Sequence, residues 1–139
     1  MILLDTNVIS EPWKPVPDTA VLTWLDAQAI ETLFISAISI AELRFGIASM
    51  PSGKRQTILQ DRLEGEILPH FGGRILPFDL GTSQFYAKLM AGSRLSGKAI
   101  GKADGYIAAT AAENDLVVAT RDTSPFEAAG LKVVNPWLA

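Results

Sequence analysis

Four carboxylates stand where a strand ends or a helix begins. Asp5 directly follows the apolar run Met1-Ile2-Leu3-Leu4, in the string Asp5-Thr6-Asn7, and Asp122 follows Leu116 to Thr120 after a single residue, Arg121. Glu42 lies beyond the run Leu33-Phe34-Ile35-Ser36, in what reads as the first turn of the next helix. Asp104 opens an alanine-rich helical stretch from Ala103 to Asn114. Four carboxylates brought within a few ångströms repel one another, and ordinary folding protonates some of them or pushes them apart. A divalent cation removes that conflict. Mg²⁺ and Mn²⁺ favour carboxylate and water oxygens; bound, they generate hydroxide from water and stabilise charge on a phosphoryl group. The chemistry implied is phosphodiester hydrolysis.

Each acid also has a local explanation. Asp5 suits the cap of a helix beginning near Asn7, and Asp122 the cap of one before Pro125. Ser39-Ile40-Ala41-Glu42 fits a capping box, in which Glu42 serves only a backbone N–H. Asp104 suits a first-turn acid favoured by the helix dipole. Their coincidence at one rim is what sets the four apart from ordinary capping residues.

Other reactive residues are less informative. There is no cysteine, which removes disulfide frameworks, thiolate zinc sites and thiol nucleophiles together. The lone His70, between Pro69 and Phe71, has no partner His or Cys and reads as a surface or packing residue. Ser36 and Ser39 lack a His-based relay. The stretch Gly97-Lys98-Ala99-Ile100-Gly101-Lys102 is one residue short of a phosphate loop, and Ala103 stands where Ser or Thr is required. Trp13, Trp24 and Trp137 are spread along the chain and read as core or interface anchors.

The elements that must position the acids follow from periodicity. Strands are expected at 1–4, 33–36, 74–78, 116–120 and 131–134, with helical patterns between them. Asp18 can cap a helix presenting Val21, Trp24 and Leu25. Leu59, Leu63 and Ile67 form a stripe in a second, and the pairs Phe85/Leu89 and Tyr86/Met90 repeat the spacing in a third. Pro51-Ser52-Gly53 and Phe71-Gly72-Gly73 read as loops. This alternation predicts an α/β fold with a parallel sheet. In such sheets ligands bind outside the carboxyl ends of the strands, where all four acids would lie.

At 139 residues the chain is one domain's worth, long enough to fold without disulfides. The 48% hydrophobic and 19% charged composition excludes a disordered or highly charged tail protein. No signal peptide or membrane span is legible, so a cytoplasmic protein is expected. With a net charge of −3, attraction of the whole molecule to nucleic acid is not expected. One segment departs from that balance: Leu80 to Ala103 holds no acid but four bases, Lys88, Arg94, Lys98 and Lys102. It reads either as a solvated face or as a strip that contacts phosphates.

The strings Met1-Ile2-Leu3-Leu4-Asp5-Thr6-Asn7-Val8-Ile9, Ser39-Ile40-Ala41-Glu42-Leu43, Ala103-Asp104-Gly105-Tyr106-Ile107-Ala108-Ala109-Thr110 and Ala119-Thr120-Arg121-Asp122 together resemble the motifs of a PIN domain. The resemblance covers essentially the whole chain. It is greatest to VapC-type toxin ribonucleases and, among them, to the FitB-like branch, where the tail Asn135-Pro136-Trp137 is also similar. It implies a single PIN domain over residues 1–139, a three-layer α/β/α sandwich with a central parallel sheet, and a Mg²⁺- or Mn²⁺-dependent ribonuclease centre. On this resemblance Asp5, Glu42, Asp104 and Asp122 would hold the metal, with Thr6, Asn7 and Thr120 orienting them from beside the site. Arg94, Lys98 and Lys102 would meet RNA phosphates. A homodimer and a VapB- or FitA-like antitoxin are also implied, with operator DNA bound only through the antitoxin.

Two other functions compete with an endoribonuclease toxin. One is a subunit with little or no turnover in a DNA-bound toxin–antitoxin regulatory complex. The other is an aspartyl-phosphate enzyme of the haloacid dehalogenase type, which fails because Asn7 stands where a second Asp is needed.

Overall fold

Alternate residues of each strand serve opposite cores, the period-two pattern of a sheet buried on both faces. The computed structural model describes residues 1–139. Five strands, β1 (Ile2–Leu4), β2 (Leu33–Ser36), β3 (Ile75–Leu76), β4 (Val117–Ala119) and β5 (Val133–Val134), form one parallel sheet in the order β3-β2-β1-β4-β5. The connecting helices are α1 (Thr6–Ser10), α2 (Thr19–Asp26), α3 (Ala37–Ala48), α4 (Lys54–Arg62), α5 (Leu68–His70), α6 (Leu80–Leu95), α7 (Lys102–Glu113) and α8 (Ser124–Ala128). Leu4, Leu33, Ile35 and Ala119 face one core with Val8, Ile40, Leu43, Ile47, Leu59 and Leu63. Leu3 and Val118 face the other with Ile107, Ala108, Ala111 and Phe126. Each fully buried Leu, Ile or Phe contributes roughly 1.5–3 kcal/mol, so both faces hold the sheet. The layers are the α/β/α sandwich expected.

This topology sets one edge apart. β1, β2 and β4 are parallel neighbours in register, with Leu4 opposite both Ile35 and Ala119, so their carboxyl ends lie side by side. α7 precedes β4 and returns the chain from that edge to the opposite one. Its first turn therefore lies on the same edge. No helix is long and apolar enough to cross a membrane.

Several elements differ from the sequence expectation in their limits. The edge strands pair over only Ile75–Leu76 and Val133–Val134, each having a neighbour on one side only. The Leu59, Leu63, Ile67 stripe is present, but a π-helical turn at Leu63–Ile67 joins α4 to α5. Pro69 follows that turn and has no N–H to offer the Gly65 carbonyl in a regular helix. α3 begins earlier than the capping box requires. Ser36, extended at φ −79° and ψ 143°, caps it through its hydroxyl, which accepts from the Ile38 N–H at 3.0 Å. Glu42 therefore lies in the second turn rather than the first, and the Ser39–Glu42 box does not form. Asp18 caps α2 as expected, accepting from the Ala20 N–H at 2.9 Å.

Candidate active site

β1 delivers Asp5 to the carboxyl edge, and the Asp5 N–H extends the ladder by bonding to the Ala119 carbonyl at 2.9 Å. Oδ1 of Asp5 accepts from the Thr6 N–H at 2.8 Å, capping α1, and Oδ2 accepts from the Thr120 hydroxyl at 2.8 Å. The capping explanation is thus true of one oxygen only. Thr120 is fully buried, and Asp5 is 6% exposed. The Thr120 hydroxyl also accepts from the Asp122 N–H at 3.1 Å, so one threonine sets both the Asp5 rotamer and the turn that carries Asp122.

Thr6 performs a parallel task for Glu42. Its hydroxyl donates to Glu42 Oε1 at 2.7 Å and lies 3.0 Å from the hydroxyl of buried Ser39. A hydroxyl has one hydrogen, so with Thr6 donating to Glu42, Ser39 donates to Thr6. Ser39 was not expected at the site. The available signal was its position three residues before Glu42 in an otherwise apolar run, which places both on one helix face.

Asp122 is exposed and does not cap α8, whose N-cap is Thr123 without a side-chain bond. Asn7 ties α1 to the same turn, its Oδ1 accepting from the Arg121 N–H at 3.4 Å. The Arg121 guanidinium instead packs over the Trp137 ring, 5.4 Å from its centroid. Asp104 is half-buried in the first turn of α7. The next residue, Gly105, has no space for a side chain: a Cβ there would lie 2.6 Å from Met90 Sδ and 3.1 Å from the Tyr86 ring. That absence lets α7 lie close on α6, carrying Asp104 to the rim.

Burial is the chief force on the Asp5 carboxyl and pushes its pKa up to about 6, against the hydrogen bonds from Thr120 and Thr6 and with help from the charges of Asp104 and Glu42. Burial, then Asp122 and Glu42, also raises Asp104. The four acids therefore share one field. None has a cationic partner, because the two ion pairs of the molecule are Lys14–Glu11 at 2.8 Å and Arg44–Glu64 at 2.8 Å. No three of the carboxylates converge closely enough to hold a metal ion between them. Mg²⁺ is ordinarily held by one or two carboxylates with water completing the octahedron, so this donor set of hard oxygens fits such an ion.

The remaining sequence candidates are also placed. Lys88, Arg94, Lys98 and Lys102 are all exposed, on α6, on the loop after it and at the start of α7. His70 is exposed, its Nδ1 against the Glu66 carbonyl, and Trp13, Trp24 and Trp137 belong to or pack on the first core.

A carboxylate rim of this kind, at the edge of a five-stranded parallel sheet in the order β3-β2-β1-β4-β5, defines a class, and the PIN-domain family model matches residues 2–131. The chain belongs to the PIN-domain family. It is 69% identical to VapC ribonuclease Y4jK of Sinorhizobium fredii, over 99% of this chain and 98% of that protein. It is 53% identical to toxin FitB of Neisseria gonorrhoeae, over 99% of each. Among solved structures, that of FitAcB from Neisseria gonorrhoeae superposes with a TM-score of 0.97 at 52% identity, covering 100% of both chains. A structure of FitAB bound to an IR36 DNA fragment gives 0.96 at 51% identity, covering 99% of this chain and 96% of that one. Within the PIN domains the chain belongs with the VapC and FitB toxins, as its motifs implied.

Proposed function

We propose that this chain is the toxin of a VapBC- or FitAB-like toxin–antitoxin pair and a Mg²⁺- or Mn²⁺-dependent endoribonuclease. The observation that carries the reading is Asp5: a carboxylate 6% exposed, fixed by two hydrogen bonds, pushed up by burial and by neighbouring acids, and left without a cation of the protein's own. Asp5, Glu42, Asp104 and Asp122 would hold the ion, partly through water. Bound there, the ion supplies a water nucleophile near neutral pH and takes up charge on the phosphoryl oxygen. Thr120 fixes the Asp5 rotamer, Thr6 with Ser39 fixes Glu42, and Asn7 braces the turn bearing Asp122. Arg94, Lys98 and Lys102 neutralise phosphates of the RNA on either side of the cut.

The partner is a VapB- or FitA-like antitoxin, and the acidic rim offers a guanidinium from that antitoxin the same carboxylates that would hold the metal. Operator DNA is bound through the antitoxin, and the toxin is a homodimer of single PIN domains.

The test is cleavage of total RNA by the purified chain, free of antitoxin, in Mn²⁺, Mg²⁺ or EDTA, with Asp104→Asn alongside. Metal-dependent cutting that the variant lacks is the expected result. Equal behaviour of the two proteins overturns the enzyme and leaves a non-catalytic subunit of a DNA-bound complex.

A further inference from the structure

The loop joining α6 to α7 is shaped by the last turn of α6. Buried Ser93 holds Lys98 twice: its carbonyl accepts from the Lys98 N–H at 2.9 Å, and its hydroxyl donates to the Lys98 carbonyl. Gly97, at φ +73°, makes the left-handed turn that this helix ending requires. Between the pinned loop and the helix lies an open cavity of about 660 Å³, within the range of small-molecule sites. Met90, Ala91 and Ile100 give it an apolar wall, and Arg94 and Lys98, both exposed and without acidic partners, give it a cationic one.

The cavity lies close to one acid of the rim, Asp104. Ile100 in its wall is followed by Gly101, where a Cβ would lie 3.9 Å from Asp104 Oδ2. Met90 in its wall puts Sδ against Gly105. The wall residues Ile100 and Met90 thus neighbour Gly101 and Gly105, which stand on either side of Asp104 in the chain. An apolar wall beside two unpaired cations offers a nucleotide's base a surface out of water and its phosphate a counter-charge.

We infer that this cavity is a nucleotide subsite, which takes the base of one unpaired RNA nucleotide next to the scissile phosphate against Met90, Ala91 and Ile100, and its phosphate on Arg94 and Lys98. The inference rests on the endoribonuclease reading and adds to it a place where sequence preference is read.

The test uses single-stranded oligomers taken from whichever RNA the wild-type protein cuts in a total-RNA mixture with Mn²⁺. They keep the same scissile step and are lengthened one nucleotide at a time. For wild type, KM falls about tenfold at the length that first fills the cavity, in keeping with the burial of about 50 Å² of apolar surface. Ala91→Trp fills the cavity while keeping both cations; it abolishes the step and leaves kcat on shorter oligomers unchanged. The double variant Arg94→Gln, Lys98→Gln keeps the cavity and lowers the slope of log affinity against log salt by about 0.7, the share of one single-strand phosphate. The same length step and salt slope in all three proteins would overturn the subsite, leaving the ribonuclease intact and the cavity to a peptide of the partner. Total RNA left uncut by wild type in Mn²⁺ would overturn both.

Discussion

Asp79 and Asp5 each stand at the N-cap of a helix, and each accepts a backbone N–H there, from Thr82 at 3.1 Å and from Thr6 at 2.8 Å. Asp79 is exposed, forms a capping box with Thr82, and is held below the usual carboxylate range by those bonds. Asp5 has a further bond from Thr120, yet burial and two neighbouring acids drive it the other way, up to about 6. A cap needs no burial, as Asp79 shows. Burying the ionised Asp5 at neutral pH costs the metal-free fold about 3 kcal/mol by its shift from 3.8. On the function proposed, Asp79 serves its helix and Asp5 a ligand.

Neutralising the two carboxylates has opposite consequences for activity. Asp5→Asn abolishes RNA cleavage, whereas Asp79→Asn keeps wild-type turnover; cleavage assays at saturating Mn²⁺ decide it, and equal losses would erase the distinction. Stability then moves in opposite senses. Asp5 binds its proton more tightly folded than unfolded, so between about pH 4 and about pH 6 the native state holds the extra proton and stability falls as pH rises. Metal-free Asp5→Asn therefore matches wild type in acid and exceeds it by up to about 3 kcal/mol above pH ~6 in thermal melts. Asp79→Ala does the reverse: its deficit is full near neutral pH and shrinks as pH falls through the carboxylate range. Mn²⁺ narrows the first gap, since a ligand at a hundred times its Kd stabilises wild type by about 2.7 kcal/mol and the variant little. The smallest effect is at Thr120. Thr120→Val strands the Asp122 N–H and one Asp5 oxygen, costs about 1–3 kcal/mol, and raises Asp5 further, seen by carboxyl NMR titration.

Much of this arrangement was legible in the sequence because it depends on backbone. The strand ends before Asp5 and Asp122 and the helix opening at Asp104 follow from periodicity. What was not legible depends on contacts between distant segments. Ser36 and Ser39 are equally good caps as residue types, and only the turn at the end of β2 selects Ser36. The Thr6–Ser39–Glu42 chain spans separations of 33 and 36 residues, beyond any local pattern. The basic segment was legible as charge, but its cavity depends on Ser93 closing the loop onto α6. The packing of Arg121 over Trp137 joins segments sixteen residues apart and has no local sequence signal.

Uptake of a hard divalent cation by the rim is read from a calorimetric titration with Mn²⁺. At neutral pH the wild-type chain should bind Mn²⁺ saturably, and Asp104→Asn should lose most of that affinity. Below about pH 6 the wild-type affinity should fall about tenfold per pH unit, as protons compete for Asp5. No uptake by the wild type at neutral pH, or uptake undiminished in Asp104→Asn, would contradict metal binding at the rim.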